Sequence, residues 1–127
     1  IDDDIFFVFT LKRVINHNKQ AERIITFSDG EKAIQYLTNN KRIPENIPDI
    51  IFLDVNMPNI NGWQFMEKYA SIKADIKKKA TIFMWSSSLN LIDIERASKI
   101  SEISDYTIKP IKLEGVRRFF EKLESLL

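Results

Sequence analysis

The sequence predicts an α/β fold, a parallel sheet with helices wound onto both of its faces. Two observations predict it. Short apolar, β-branched runs alternate along the chain with stretches whose apolar residues recur every three or four positions, so strand follows helix throughout. The run Ile50, Ile51, Phe52, Leu53 has no polar alternate positions, as in a strand buried on both faces, and it ends in an acid, Asp54, and the loop residues Met-Pro and Asn-Gly. Right-handed crossovers between such strands place the helices on both sides of the sheet.

Taken in order, Ile1 reads as the last residue of an apolar strand, and Asp2, Asp3 and Asp4 as the acidic turn after it. Asp4 reads as a helix N-cap. Val8, Leu11 and Ile15 recur at helical spacing, giving a first helix from Ile5 to about Asn18, with Phe6, Phe7 and Phe9 adding apolar surface. Residues Ala21 to Ser28 contain Ile24-Ile25-Thr26-Phe27 and are stopped by Asp29-Gly30, which predicts a strand leading into a helix with Ala33, Ile34 and Leu37. Asn39 to Pro48, with two prolines, is a loop before the strand that ends in Asp54. Phe65, Met66, Tyr69 and Ile72 mark a third helix running into Lys77 to Lys79, a basic stretch read as a solvated helix end. Thr81 to Trp85 is a buried strand closed by three serines, and a weaker helix follows from about Leu91 to Ser101. Asp105 to Ile108 is a brief strand ended by Lys109-Pro110, and Leu113, Val116, Phe120, Leu123 and Leu127 repeat through a last helix. The first strand is expected to lie mostly before residue 1, with about five residues missing, a typical strand length.

The totals bound the function. With 127 residues, 44% hydrophobic and 29% charged, the chain fits one domain over 1–127. Nineteen basic residues against 18 acidic ones give a net charge of +1, so neither nucleic acid nor an anionic membrane is the expected partner. Cysteine is absent, which excludes disulfides and thiolate metal sites and suits a reducing compartment. No apolar run approaches the roughly 18 residues that span a bilayer, and no signal-peptide pattern appears. A cytoplasmic location is expected.

Parallel strands deliver their ends to one edge of the sheet, so Asp2, Asp3, Asp54, Ser86 and Lys109 should converge there. Carboxylates packed together raise one another's pKa unless a cation shares them. A hard divalent ion such as Mg²⁺, held by oxygen, suits the set, whereas one histidine and no cysteine support zinc or iron poorly. An aspartate beside Mg²⁺ can attack a phosphoryl group, while a lysine and a hydroxyl take up charge on its oxygens. Each residue alone has a plainer reading: a strand-end aspartate caps a helix, a serine run forms a turn, and Lys-Pro marks a loop. The conjunction carries the argument.

With D-D-D after a strand end, L-D-V-N-M-P-N-I-N-G, M-W-S-S-S and Y-T-I-K-P in that order, the chain resembles the receiver domains of two-component response regulators, in particular single-domain, chemotaxis-regulator-like ones, over essentially its whole length. The resemblance implies a flavodoxin-like, doubly wound (βα)5 sheet of strand order 2-1-3-4-5. It implies that Asp54 is the phosphoacceptor, that Asp2, Asp3 and Asp54 with the Asn56 backbone carbonyl hold Mg²⁺, and that Ser86 and Lys109 attend the phosphoryl group. Tyr106 would be the switch aromatic, and the peptide before Pro110 would be cis. Implied partners are a histidine kinase or histidine phosphotransfer protein, and a homodimer or effector on the face of the fourth helix, fifth strand and fifth helix. Phe119 and Leu126 lie off the main apolar stripe of the last helix, where they either serve a partner or pad the edge of the core. The implied chemistry is self-phosphorylation and self-dephosphorylation, not turnover of a substrate by an enzyme. Ser86 stands where threonine is commoner, and Trp85 where the family is usually aliphatic, so its indole needs space beside the site. His17, in Asn-His-Asn, reads as an ordinary polar helix end and not as a phosphodonor. Two other readings compete: an aspartyl-phosphate phosphohydrolase, disfavoured because position 56 is Asn and not a general acid, and a degenerate receiver that only binds proteins.

Overall fold

The computed structural model describes residues 1–4, 8, 9, 11–13, 15, 23–87, 90–109, 114, 115, 118 and 121. Three strands form a parallel sheet in the order β1 (Ile50–Asp54), β2 (Thr81–Ser86) and β3 (Ile103–Ile108). Helix α1 (Gly30–Asn39) precedes β1, α2 (Gly62–Ile72) joins β1 to β2, and α3 (Leu91–Ser98) joins β2 to β3. The predicted fourth helix and fifth strand are thus α3 and β3. Described residues between 8 and 15, and at 114, 115, 118 and 121, are helical.

Each helix starts at a polar cap that its sequence supplies. Asp29 accepts the Glu31 N–H, Asn90 accepts the Ile92 N–H, and Asn61 and Gln64 satisfy each other's backbone N–H groups at the start of α2. Asp4 occupies the corresponding place in the first helix, its carbonyl oxygen accepting the Val8 N–H at 3.0 Å.

Side chains alternate across the strands, and both faces are covered. Ile51 and Leu53 of β1 and Ile82 and Met84 of β2 face one layer, with Leu37 of α1 and Phe65, Met66 and Tyr69 of α2. Phe52 and Phe83 face the other, with Leu11, Ile15 and Ile24. The Trp85 indole finds its space by stacking on Phe52, with ring centroids 4.8 Å apart and planes inclined by 13°. Strands β1 and β2 pair with Leu53 opposite Met84 and Asp54 opposite Trp85. Between β2 and β3 the register slips once, so that Phe83 faces Asp105 and Ser86 faces Ile108.

Four expectations are corrected. Residues 23–27 form no strand. One backbone bond ties this stretch to its neighbour, from the Asp2 N–H to the Phe27 carbonyl oxygen at 2.9 Å, and a single bond is no ladder. Helix α2 ends at Ile72 and a 3₁₀ turn, Lys73–Asp75, follows, so the basic stretch does not end a helix. Lys78 is half-buried, donates to the Ile47 carbonyl oxygen at 3.0 Å and pairs with Asp49 at 2.7 Å. Helix α3 ends at Ser98, where the Lys99 N–H turns back to the Arg96 and Ala97 carbonyls. Strand β3 begins at Ile103, two residues earlier than its apolar pattern indicates.

The expectations for His17, for the cis peptide before Pro110, and for the apolar stripe of the last helix with Phe119 and Leu126 lie outside the described residues. Among the described residues, no helix is long and apolar enough to cross a membrane.

Candidate functional site at the carboxyl edge of the sheet

The parallel sheet brings the predicted residues together. Asp54 is the last residue of β1, Ser86 the last of β2, and Lys109 follows β3 directly. The Lys109 N–H donates to the Ser86 carbonyl oxygen at 2.7 Å, which fastens the lysine to the neighbouring strand end. At the start of the chain, the Ile1 nitrogen donates to the Phe52 carbonyl oxygen at 2.6 Å and the Asp54 N–H donates to the Ile1 carbonyl oxygen at 3.0 Å. Ile1 therefore lies alongside β1, and Asp2 arrives beside Asp54.

Asp2, Asp54 and Ser86 are buried, with relative exposures of 6%, 5% and 3%, while Asp3 is exposed. One carboxylate oxygen from each of Asp2, Asp3 and Asp54 lies within 4.8 Å of the other two. The Lys109 ammonium is 2.6 Å from Asp2 and 3.8 Å from Asp54, so a single cation bridges two strand ends. The second Asp2 oxygen accepts the Asp4 N–H at 2.9 Å, which fixes the carboxylate's direction.

These surroundings make Asp54 an unusual acid. Burial, with repulsion from Asp2 next, pushes its carboxyl from 3.8 up to about 6; Lys109 and the Asn56 N–H pull it down, and Asp3 adds a smaller upward push. The expected role of Asn56 runs through its carbonyl; its N–H is a second influence on Asp54, as an amide two residues past a strand-end acid commonly is.

Tyr106 lies opposite Met84 in the β2–β3 register. Its hydroxyl is buried and makes no hydrogen bond among the described residues. Burial raises its pKa, nearby Ser86 lowers it, and Asp93 and Asp54 raise it. The ring is therefore turned inward, its hydroxyl between the site and α3. Asp93 was not anticipated either; it follows the Asn90 cap by three residues and so stands in the first turn of α3, where acids are favoured by the helix dipole.

Three carboxylates against one ammonium leave a surplus of two negative charges when all are ionised. The donor set is oxygen throughout, which fits a hard divalent cation. Three carboxylate oxygens within 4.8 Å of one another could share such an ion.

Comparison with known proteins shows the family. The sequence profile of the family described as "Response regulator receiver domain" matches residues 1–121. A crystal structure of a two-component response regulator from Cytophaga hutchinsonii is similar at 29% identity and a TM-score of 0.80, covering 98% of this chain and 93% of that one. The "Probable methanogenesis regulatory protein FilR2" of Methanothrix harundinacea is 22% identical over 98% of this chain and 79% of its own length. The "Transcriptional regulatory protein YpdB" of Escherichia coli K12 is 24% identical over 98% of this chain and 46% of its own length, so the chain spans less than half of that relative.

Proposed function

The chain belongs to the family of response regulator receiver domains, and on that premise we propose that Asp54 is its phosphoacceptor. The observation that carries the reading is the buried Asp54 carboxylate, with Asp2 and Asp3 oxygens within 4.8 Å and the Lys109 ammonium at 3.8 Å. An Asp54 oxygen attacks the phosphorus of a phosphohistidine on a histidine kinase or histidine phosphotransfer protein. The new O–P bond forms as the P–N bond breaks, and the departing imidazole nitrogen takes up a proton. Lys109 and the Ser86 hydroxyl meet the charge that spreads over the phosphoryl oxygens. Water later cleaves the O–P bond, returning the Asp54 carboxylate and releasing inorganic phosphate.

Asp2, Asp3, Asp54 and the Asn56 carbonyl are the groups that would hold Mg²⁺. Bound there, the ion would neutralise developing negative charge on the phosphoryl oxygens. The protein's own contribution is orientation: Asp2 is aimed by the Asp4 N–H, Lys109 by the Ser86 carbonyl, and Asp54 by the Asn56 N–H.

The readout runs through Ser86, Tyr106 and α3. A phosphoryl group that draws the Ser86 hydroxyl toward itself changes the surroundings of the Tyr106 hydroxyl and shifts a two-state balance in the face made by α3, β3 and the last helix. Leu91, Ile92 and Ile108 are exposed at 82%, 77% and 44% there, which suits a homodimer or an effector surface. The experiment is incubation with Mg²⁺ and a small acyl phosphate, followed by intact mass. The expected gain is one phosphoryl group, absent in Asp54→Asn; no gain, or a gain that survives the substitution, refutes the reading.

A further inference from the structure

The loop that leaves Asp54 carries the Asn56 N–H, which lies close enough to the Asp54 carboxylate to lower its pKa, and the residue whose carbonyl would face the cation. Where that loop rests sets the shape of the site. Asn59 is the one described residue other than glycine with a positive φ, 66°. A left-handed conformation costs most L residues about 1–2 kcal/mol and asparagine least. The conformation lets its side-chain amide donate to one Asp29 oxygen at 2.6 Å. The other Asp29 oxygen accepts the Glu31 N–H at 2.7 Å and caps α1. A single carboxylate thus joins the start of α1 to the loop across 30 residues of sequence.

Packing reinforces the join. A Cβ built on Gly30 would come within 2.9 Å of Ile60 and 3.4 Å of Met57, so the glycine lets the loop settle directly against the helix. At its far end the loop is held by the Asn61–Gln64 capping box and by the Gly62 N–H donating to the Val55 carbonyl oxygen at 2.8 Å. Between Val55 and Asn61, the Asn59–Asp29 bond is the side-chain link from the loop to another part of the fold among the described residues.

We propose that Asp29 and Asn59 are positioning residues for the acidic site: their hydrogen bond latches the 56–61 loop to α1 and so places the Asn56 backbone against Asp54 and the cation. The proposal rests on the phosphoacceptor reading, because it supplies that site's supporting layer. Outer partners of a metal site cost about 10–100-fold in metal affinity when removed. An exposed latch acting through one loop belongs at the low end.

The experiment titrates MgCl₂ into the protein by calorimetry, alongside amide hydrogen exchange of residues 56–61 and thermal denaturation. Asn59→Gly keeps the backbone conformation and loses the amide. Asn59→Asp sets a second carboxylate against Asp29. The exchanged pair Asp29→Asn with Asn59→Asp restores one donor and one acceptor and keeps a good helix cap at position 29. Each Asn59 single variant is expected to bind Mg²⁺ about 10-fold more weakly and to exchange loop amides faster, and the exchanged pair is expected to recover both. Rescue separates the latch from any general loss of folding. Single variants that bind Mg²⁺ like the wild type, or a folded exchanged pair that recovers neither readout, overturn the latch alone. A wild type that binds no Mg²⁺ overturns the phosphoacceptor reading and the latch with it.

Discussion

Asp54→Asn should make the metal-free protein more stable at neutral pH, although it removes the residue the site is built around. The ionised carboxylate is disfavoured in the folded chain, since its pKa lies at about 6 against 3.8. At about 1.4 kcal/mol per pH unit, that gap corresponds to a ceiling of about 3 kcal/mol. Water reaches the open edge of the sheet, and discounting for that screening leaves about 1–2 kcal/mol. The sign follows from proton counting. Below pH 3.8 the carboxyl is protonated in both states and contributes nothing. Between 3.8 and about 6 the folded state holds the proton that the unfolded state has released, so stability falls as pH rises through this window. Above about pH 6 the penalty is complete. Urea denaturation in a chelator should show Asp54→Asn more stable by about 1–2 kcal/mol at pH 7.5, with the gain shrinking toward zero near pH 4. Mg²⁺ should then reverse the order, because at a hundred times its dissociation constant it stabilises the wild type by about 2.7 kcal/mol. A variant no more stable than wild type at pH 7.5, or equally favoured at pH 4, refutes the reasoning.

Three further substitutions probe the surroundings. Gly62→Ala places a Cβ 2.8 Å from the Asp54 carbonyl oxygen and 3.0 Å from the Val55 Cα, both backbone, so a loss of about 1–3 kcal/mol in urea midpoints and slower phosphoryl uptake by mass are expected. Arg96→Gln removes a guanidinium 4.5 Å from the centre of the Trp63 ring; the cost should be about 0.5–1 kcal/mol, with a change in tryptophan emission as α3 loosens from α2. Tyr106→Phe deletes a buried hydroxyl without a hydrogen-bond partner among the described residues. Resting stability, read by thermal denaturation, should hold or rise, since the hydroxyl's burial is uncompensated.

The groups legible in the sequence are those whose position follows from topology alone. Asp54, Ser86 and Lys109 each end or follow an apolar run, and a parallel sheet carries such residues to one edge whatever the side chains beyond them do. The stretch 23–27 was misread because β-propensity records what a run can do, while a strand exists only through a partner ladder. The Lys78 bond to Ile47 was hidden for a related reason. Composition marks a lysine run as solvated, but a long stem lets one of its members reach back to a carbonyl. Contacts such as Asn59 to Asp29 and Arg96 to Trp63 leave no periodic trace, because they depend on how two separately legible elements approach each other.

That division separates what builds this site from what makes it reactive. Hydrophobic burial of β1 and β2 assembles the edge and would do so with neutral residues at the strand tips. The acids are held there against their own electrostatics, with one lysine drawn closer to Asp2, at 2.6 Å, than to Asp54, at 3.8 Å. Asp2, Asp3 and Asp54 are the groups that would hold a divalent cation, and Lys109, within 3.8 Å of Asp54, is placed to meet negative charge there. Asp54→Asn removes a carboxylate whose ionised form is disfavoured first by burial and then by repulsion from Asp2, and the Mg²⁺ titration tests separately how far a cation offsets that penalty.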